Sequence, residues 1–166
     1  MIALLQRVSQ AKVDVDGERV GQIGAGLMVL VCAEPADTPA TANLLLDRLI
    51  NYRVFGDASG RMNRSLLDLQ NAAEAGANYA DQAGLLLVPQ FTLAADTSSG
   101  RRPGFTGAAE PALARQLFET FAATAAGLVH GTQTGRFGAD MQVSLTNDGP
   151  VTFWLQVPRQ SGSTTK

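Results

Sequence analysis

The chain has 166 residues, of which 45% are hydrophobic and 17% charged, and a formal net charge of -2. That length suits one domain around one core, and the composition excludes a charge-rich disordered chain. A charge so close to zero gives no global attraction for nucleic acid, so any RNA contact has to be local, and no apolar run approaches the roughly 20 residues that a membrane-spanning helix needs.

Residues 2–8 and 12–15 have the apolar, β-branched character of strands, and the first residues lack the layout of a signal peptide. Asp16-Gly17 is a two-residue hairpin signal that leads into a strand over residues 18–23. After the break Gly24-Ala25-Gly26, residues 27–32 form a continuous apolar run that fits a strand buried on both faces. Asp37 or Thr38 can cap a helix that has Pro39 in its first turn, and Leu45, Leu49 and Tyr52 recur at helical spacing, which predicts a helix over residues 39–53. Residues 71–83 are small and polar, with Gly76 and Gly84 as breaks, and read as a loop before a strand over residues 85–88. A second amphipathic helix is predicted from near Ala108, with Leu113, Leu117, Phe121 and Ala125 along one face and Pro111 confined to its first turn; it should end before Gly127. Strands are expected over residues 141–145 and 151–157, joined by the turn-forming run Asn147-Asp148-Gly149-Pro150. The polar stretch 158–166 is expected to be a flexible tail. Together these elements predict a single α+β domain over residues 1–157, a β-rich, curved, barrel-like sheet with two long amphipathic helices packed on it.

The chemistry on offer is narrow. With one cysteine, Cys32, and one histidine, His130, the chain cannot build an intrachain disulfide, a cysteine-based zinc site or a site with several histidine ligands, and the expectation is a cytoplasmic protein without a metal. A serine hydrolase needs a base and a nucleophile elbow, and neither pattern is present; residues 21–26 and 135–138 match neither a P-loop nor a dinucleotide fingerprint, so no cofactor is expected. Asp96, Asp140 and Asp148 are scattered loop acids of the kind that is usually solvated or capping. Catalysis therefore has to rest on main-chain dipoles, a hydroxyl group or the substrate itself.

Four segments taken in order carry a resemblance: Pro89-Gln90-Phe91-Thr92-Leu93, Gly100-Arg101-Arg102-Pro103-Gly104-Phe105, Thr134-Gly135-Arg136-Phe137-Gly138-Ala139-Asp140-Met141 and Asn147-Asp148-Gly149-Pro150-Val151-Thr152. With the start, Met1-Ile2-Ala3-Leu4-Leu5-Gln6-Arg7-Val8, and residues 55–67, they resemble the D-aminoacyl-tRNA deacylase family over nearly all of residues 1–157. The resemblance implies a two-fold homodimer that hydrolyses the ester of D-aminoacyl-tRNA, with leakage to achiral glycyl-tRNA. It assigns Gly149-Pro150 as a pair with a cis peptide bond, inserted into the partner's active site to accept from the substrate's α-ammonium and to exclude L side chains. Arg7 matches an arginine that reaches the Gly-Pro carbonyl.

Gln90, Phe91 and Thr92 match the motif whose main-chain N–H groups hold the ester oxygen, with two mechanisms open: Thr92 as nucleophile, or water assisted by the free ribose hydroxyl. Phe137 and Met141 match positions lining the adenosine pocket, with core packing as the competing reading, and Arg101 and Arg102 form a basic pair suited to tRNA phosphate. A tRNA-binding module without turnover and an esterase of free D-amino-acid esters are the two alternatives. The chain departs from the family's usual pattern at Pro89, where a serine is common, and in the length of the 71–83 stretch.

Overall fold

The computed structural model describes residues 1–74 and 83–157. Three other strands are laid against one long strand, β1 (Ile2–Val15). The two strands expected over residues 2–8 and 12–15 are this single strand, because Gln10 and Ala11 between them stay paired with β8 and only Ser9 is skipped, at a shift of register. Asp16 (φ 53) and Gly17 (φ 81) then turn the chain through the left-handed region, the geometry that a two-residue hairpin demands. The chain returns as β2 (Glu18–Ile23), antiparallel to the far half of β1. On the same edge, the first half of β1 is covered by β3 (Gly26–Cys32).

Parallel strands need a long crossover between them, and two crossovers follow. The first contains α1 (Pro39–Ile50), a small hairpin of β4 (Phe55–Gly56) and β5 (Met62–Arg64), and α2 (Leu66–Glu74). It delivers β6 (Gly84–Pro89) parallel to β3. The second contains α3 (Pro111–Leu128) and delivers β7 (Thr132–Thr134) parallel to β6. The last strand, β8 (Met141–Gln156), runs antiparallel to β1 along its whole length on the opposite edge.

Strand alternation explains the continuous apolar runs. Leu27, Val29 and Val31 of β3 and Leu85 and Leu87 of β6 face the helices, where they meet Leu45, Leu49, Phe118 and Phe121. Their neighbours Met28, Leu86 and Val88 face the inside of the curl with Val8, Val13 and Ile23. Strands buried on both faces read as unbroken hydrophobic sequence. The curl is tight enough to need a glycine: a β-carbon on Gly21 would stand 2.8 Å from the carbonyl oxygen of Thr134, so only Gly21 lets β2 approach β7 and nearly close the sheet.

Three helices are present among the described residues where two were expected. The third, α2, takes the first four residues of the stretch read as a loop from 71 to 83; residues 75–82 of that stretch, and the tail 158–166, lie outside the described residues. Ser65 and Asp68 cap α2 reciprocally, Ser65 N–H donating to Asp68 Oδ2 at 2.8 Å and Asp68 N–H to Ser65 Oγ at 3.1 Å. Those bonds to the carboxylate hold the Asp68 pKa below its usual range. Helix α1 ends at Ile50 rather than residue 53, and Asn51 caps it by donating to the Asp47 carbonyl.

Helix α3 starts at Pro111 rather than near Ala108, because Glu110 is not helical (φ -54, ψ 144) and Ala109 N–H is spent on the Ala33 carbonyl at 2.9 Å. It also runs past Gly127 to Leu128: burial of Ala125 and Val129 outweighs the roughly 1 kcal/mol that an exposed helical glycine costs. Among the described residues no helix is long and apolar enough to cross a membrane.

Thr38 caps α1 in a box with Thr41, each backbone N–H bonded to the other's hydroxyl. Thr38→Ala is expected to lower stability by about 1 kcal/mol, read as a lower urea midpoint with an unchanged slope.

Candidate active site

At the carboxyl end of β6 the ladder runs out and the backbone tightens into a short 3-10 turn, Phe91–Ala94. Gln90 N–H is spent on the Val31 carbonyl at 2.8 Å, which anchors the turn to β3. Phe91 and Thr92 open the turn, so their N–H groups have no carbonyl inside it to donate to, and among the described residues no backbone hydrogen bond takes them. Pro89 ends the ladder with β7. Gln90 N–H points to β3, so the nitrogen of Pro89 faces β7, where Gly135 N–H still donates to the Leu87 carbonyl at 2.8 Å and the next bond of a parallel ladder would need an N–H that proline lacks.

A cleft of about 320 Å³ opens beside this turn, lined by Pro89, Gln90, Phe91, Phe137, Ala139 and Met141 among others. Four sequence-predicted residues therefore meet there: Gln90, Phe91, Phe137 and Met141. Gly135 makes the room, since a β-carbon on it would stand 2.8 Å from the Met141 sulfur. Phe137 serves both cleft and core, tilted against Phe118 at 6.3 Å between ring centroids. The Arg115 guanidinium of α3 lies over its ring at 5.0 Å. Nothing local in the sequence singles out Arg115; it reaches the site only because α3 packs beside the 135–140 turn.

Thr92 adjoins the cleft through Gln90, whose side-chain amide donates to Thr92 Oγ1 at 2.5 Å. Among the described residues no carboxylate or imidazole is bonded to that hydroxyl, and an amide cannot take its proton. Beneath the turn, the buried Cys32 thiol donates to the Phe91 carbonyl at 3.5 Å, and burial pushes its pKa up to about 11. A larger concavity of about 400 Å³, lined by residues of β1, β2 and β8, holds none of the predicted residues. Its cations, Lys12 and Arg19, are both paired with Asp14.

The other predicted residues gather elsewhere. Gln6 of β1 pairs with Thr152 and Val8 with Asn147, so four residues of β8 stand opposite the single Arg7. The surplus chain leaves the ladder as an excursion, with Asp148, Gly149 and Pro150 exposed and the Gly149-Pro150 peptide cis. The run expected to join two strands by a turn does not reverse the chain: both halves pair with β1 in the same direction.

Two side chains fix this excursion. Asn147 Nδ2 donates to the carbonyls of Arg7 and Val151, each at 3.0 Å. Arg7 Nε lies 2.9 Å from both the carbonyl and a carboxylate oxygen of Asp148, while Nη1 donates to the Val54 carbonyl. The Arg7 contact is thus with Asp148, one residue before the Gly-Pro pair. Gly149 admits no side chain, since a β-carbon there would meet Asn147 Oδ1 at 2.2 Å and Val151 N at 2.4 Å.

Gly149 and Pro150 do not line the cleft of their own chain. Met141 pairs with Val15 and Asn147 with Val8, a separation of roughly 23 Å along the strand at about 3.3 Å per residue. Arg101 and Arg102 are exposed on the loop between Asp96 and Gly104, which leaves the far side of the 3-10 turn.

A family model described as D-Tyr-tRNA(Tyr) deacylase matches residues 4–156. A D-aminoacyl-tRNA deacylase of Herminiimonas arsenicoxydans is 61% identical over 157 residues, covering 95% of this chain and 97% of that protein. One of Cupriavidus metallidurans is 58% identical over 158 residues, with 95% and 97% covered. A solved structure named c-Myc DNA Unwinding Element Binding Protein superposes with a TM-score of 0.84 at 34% identity, covering 95% of this chain and 99% of that one. The fold alone is shared with a "probable eukaryotic D-amino acid tRNA deacylase", at 16% identity and a TM-score of 0.77 over 94% of this chain and 98% of that one.

The raised Cys32 pKa leaves very little thiolate at pH 8, since the thiol ionises only as pH climbs toward 11. Native protein at pH 8 is therefore expected to react with a disulfide reagent at least tenfold more slowly than urea-unfolded protein, measured by thiol release.

Proposed function

This chain belongs to the D-Tyr-tRNA(Tyr) deacylase family and is an ester hydrolase of that kind, and from that premise we propose that it cleaves D-aminoacyl-tRNA at a site completed by two copies of itself. One copy supplies the cleft of Gln90, Phe91, Phe137 and Met141, and the other supplies Gly149 and Pro150. The observation that carries the reading is the Gly149-Pro150 excursion itself: exposed, pinned from both sides, and well removed along the strand from the cleft of its own chain. An element so constrained yet facing outward has the stiffness that a steric filter needs.

The chemistry follows from the groups at hand. The terminal adenosine sits by Phe137 and Met141, and the α-ammonium is held by the carbonyl oxygens of Gly149 and Pro150. With the amine and the ester carbonyl both fixed, two directions remain at Cα, and an L side chain is driven into the Gly-Pro main chain. A D side chain points outward, so the site is blind to its identity and also admits glycine. Water attacks the ester carbon, and the developing oxyanion is held by the N–H groups of Phe91 and Thr92. Gln90 N–H is already committed to Val31. One such donor is worth about 2.7–4 kcal/mol of barrier. The ester C–O bond then breaks, and the ribose oxygen leaves with a proton taken from the attacking water.

Thr92 has only the Gln90 amide as a side-chain partner among the described residues, which favours a water oriented by the neighbouring ribose hydroxyl over a threonine nucleophile. Thr92→Ala is accordingly expected to keep deacylation of D-tyrosyl-tRNA within about tenfold of the parent. Complete loss in a folded variant, or a trapped acyl-threonine, would favour the nucleophile.

The function itself is tested by pairing D- and L-tyrosyl-tRNA as substrates. Release of the D residue with sparing of the L form is expected, and equal rates would end the reading. A bare D-tyrosine ester run alongside separates a general esterase, and tRNA binding without release would mark a module that has lost turnover.

A further inference from the structure

Phe91 lines the cleft, yet 55% of its surface is exposed. Phe105, 42% exposed, meets it edge to face, with ring centroids 5.1 Å apart and planes at 65°. The two rings form one apolar step that begins at the cleft wall and leads away from it. The segment between them is closed at its neck: Asp96 and Gly104 exchange both backbone hydrogen bonds, at 2.8 and 2.9 Å. Asp96 also accepts from Ser98 N–H at 2.9 Å, and Gly100 turns the tip with φ +71. Arg101 and Arg102 stand exposed on that tip, and among the described residues neither takes part in an ion pair.

Two adjacent exposed aromatic rings beside two uncommitted guanidinium groups are what a single-stranded nucleic acid needs, a stacking floor and a track for phosphate. A protein partner would gain the apolar step but would leave the arginines without an assigned role. We propose that Phe105, with Phe91 beneath it and Arg101 and Arg102 beyond, forms a subsite for the nucleotide preceding the terminal adenosine of the acceptor strand. The proposal rests on the reading that the cleft takes that adenosine. Direction is set by connectivity: a base on Phe137 is in the cleft, and the chain leading to it passes over the Phe91–Phe105 step with its phosphate toward the arginines. Phe105 then contributes to affinity for the strand and leaves the ester chemistry alone.

The test compares binding of a tetranucleotide ending in the sequence CCA with binding of adenosine monophosphate, by equilibrium titration of the full chain. Phe105→Ala is expected to weaken the tetranucleotide roughly tenfold and leave the mononucleotide unchanged, and Phe105→Tyr to restore the parent value. Replacing Arg101 and Arg102 together by glutamine is expected to flatten the salt dependence of tetranucleotide binding. Equal weakening of both ligands by Phe105→Ala overturns the subsite, because Phe105 then only props up the cleft. No effect on either ligand, or a change in sedimentation of the Phe105→Ala variant pointing to a second copy on the step, overturns it as well. Loss of D-selective deacylation by the parent protein, with tetranucleotide binding intact, strikes the proposed function and spares the subsite.

Discussion

Four residues of β8 against one of β1 is the mismatch on which the molecule turns. A sheet ladder tolerates one surplus residue as a bulge, but a larger surplus has to leave the plane. Here it leaves as a short excursion whose every exit is blocked: Asn147 ties its base to Arg7 and Val151, Arg7 holds Asp148, and Gly149 has no space for a side chain. The result is an outward-facing piece of main chain nearly as fixed as the strands on either side. Long pairing on both flanks is what makes this possible, since β8 matches β1 again beyond the excursion and runs to Gln156.

The cleft depends on a different economy of space. Three separate segments, the end of β6, the 135–140 turn and the start of β8, have to converge, and each close approach is permitted by a small or ring-closed residue. Gly135 gives way to the Met141 sulfur, and Pro89, with no N–H to donate, ends the pairing of β6 with β7 where the turn begins. Cys32, kept neutral by its burial, donates upward to the Phe91 carbonyl. The turn is thereby held from below as well as by Gln90, while its first free N–H groups remain uncommitted. In the proposed assembly these two constructions meet: a rigid wedge from one chain and a preformed pocket from the other.

Much of this was legible before any coordinates. Asp16-Gly17 gave the hairpin, Thr38-Pro39 gave the start of α1, and the apolar runs at 27–32 and 85–88 gave the doubly buried strands, because each is decided by chemistry within a few residues. Helix α2 carries a signal of the same kind, the Ser65 and Asp68 capping pair, but the small polar composition just beyond it carries no helical periodicity. The excursion is a deeper case. Asn147-Asp148-Gly149-Pro150 has turn chemistry, and a hairpin turn and a mid-strand excursion look alike over four residues; only the pairing of both flanks with β1, some 140 positions away, distinguishes them. The site residues came from motif likeness rather than from local physics. Arg115 escaped because its approach to Phe137 depends on how α3 docks.

The central claim is that a working site takes its wedge from one chain and its pocket from another. It is tested most directly by mixing two disabled variants, Gly149→Val, which cannot form the excursion, and Ala139→Arg, which fills the cleft. Unfolded and refolded together, they are predicted to regain about a quarter of parent D-tyrosyl-tRNA deacylation, since half of the random dimers carry one intact composite site. Activity of the mixture no greater than the sum of the separate variants, with mixed dimers present, would contradict the account.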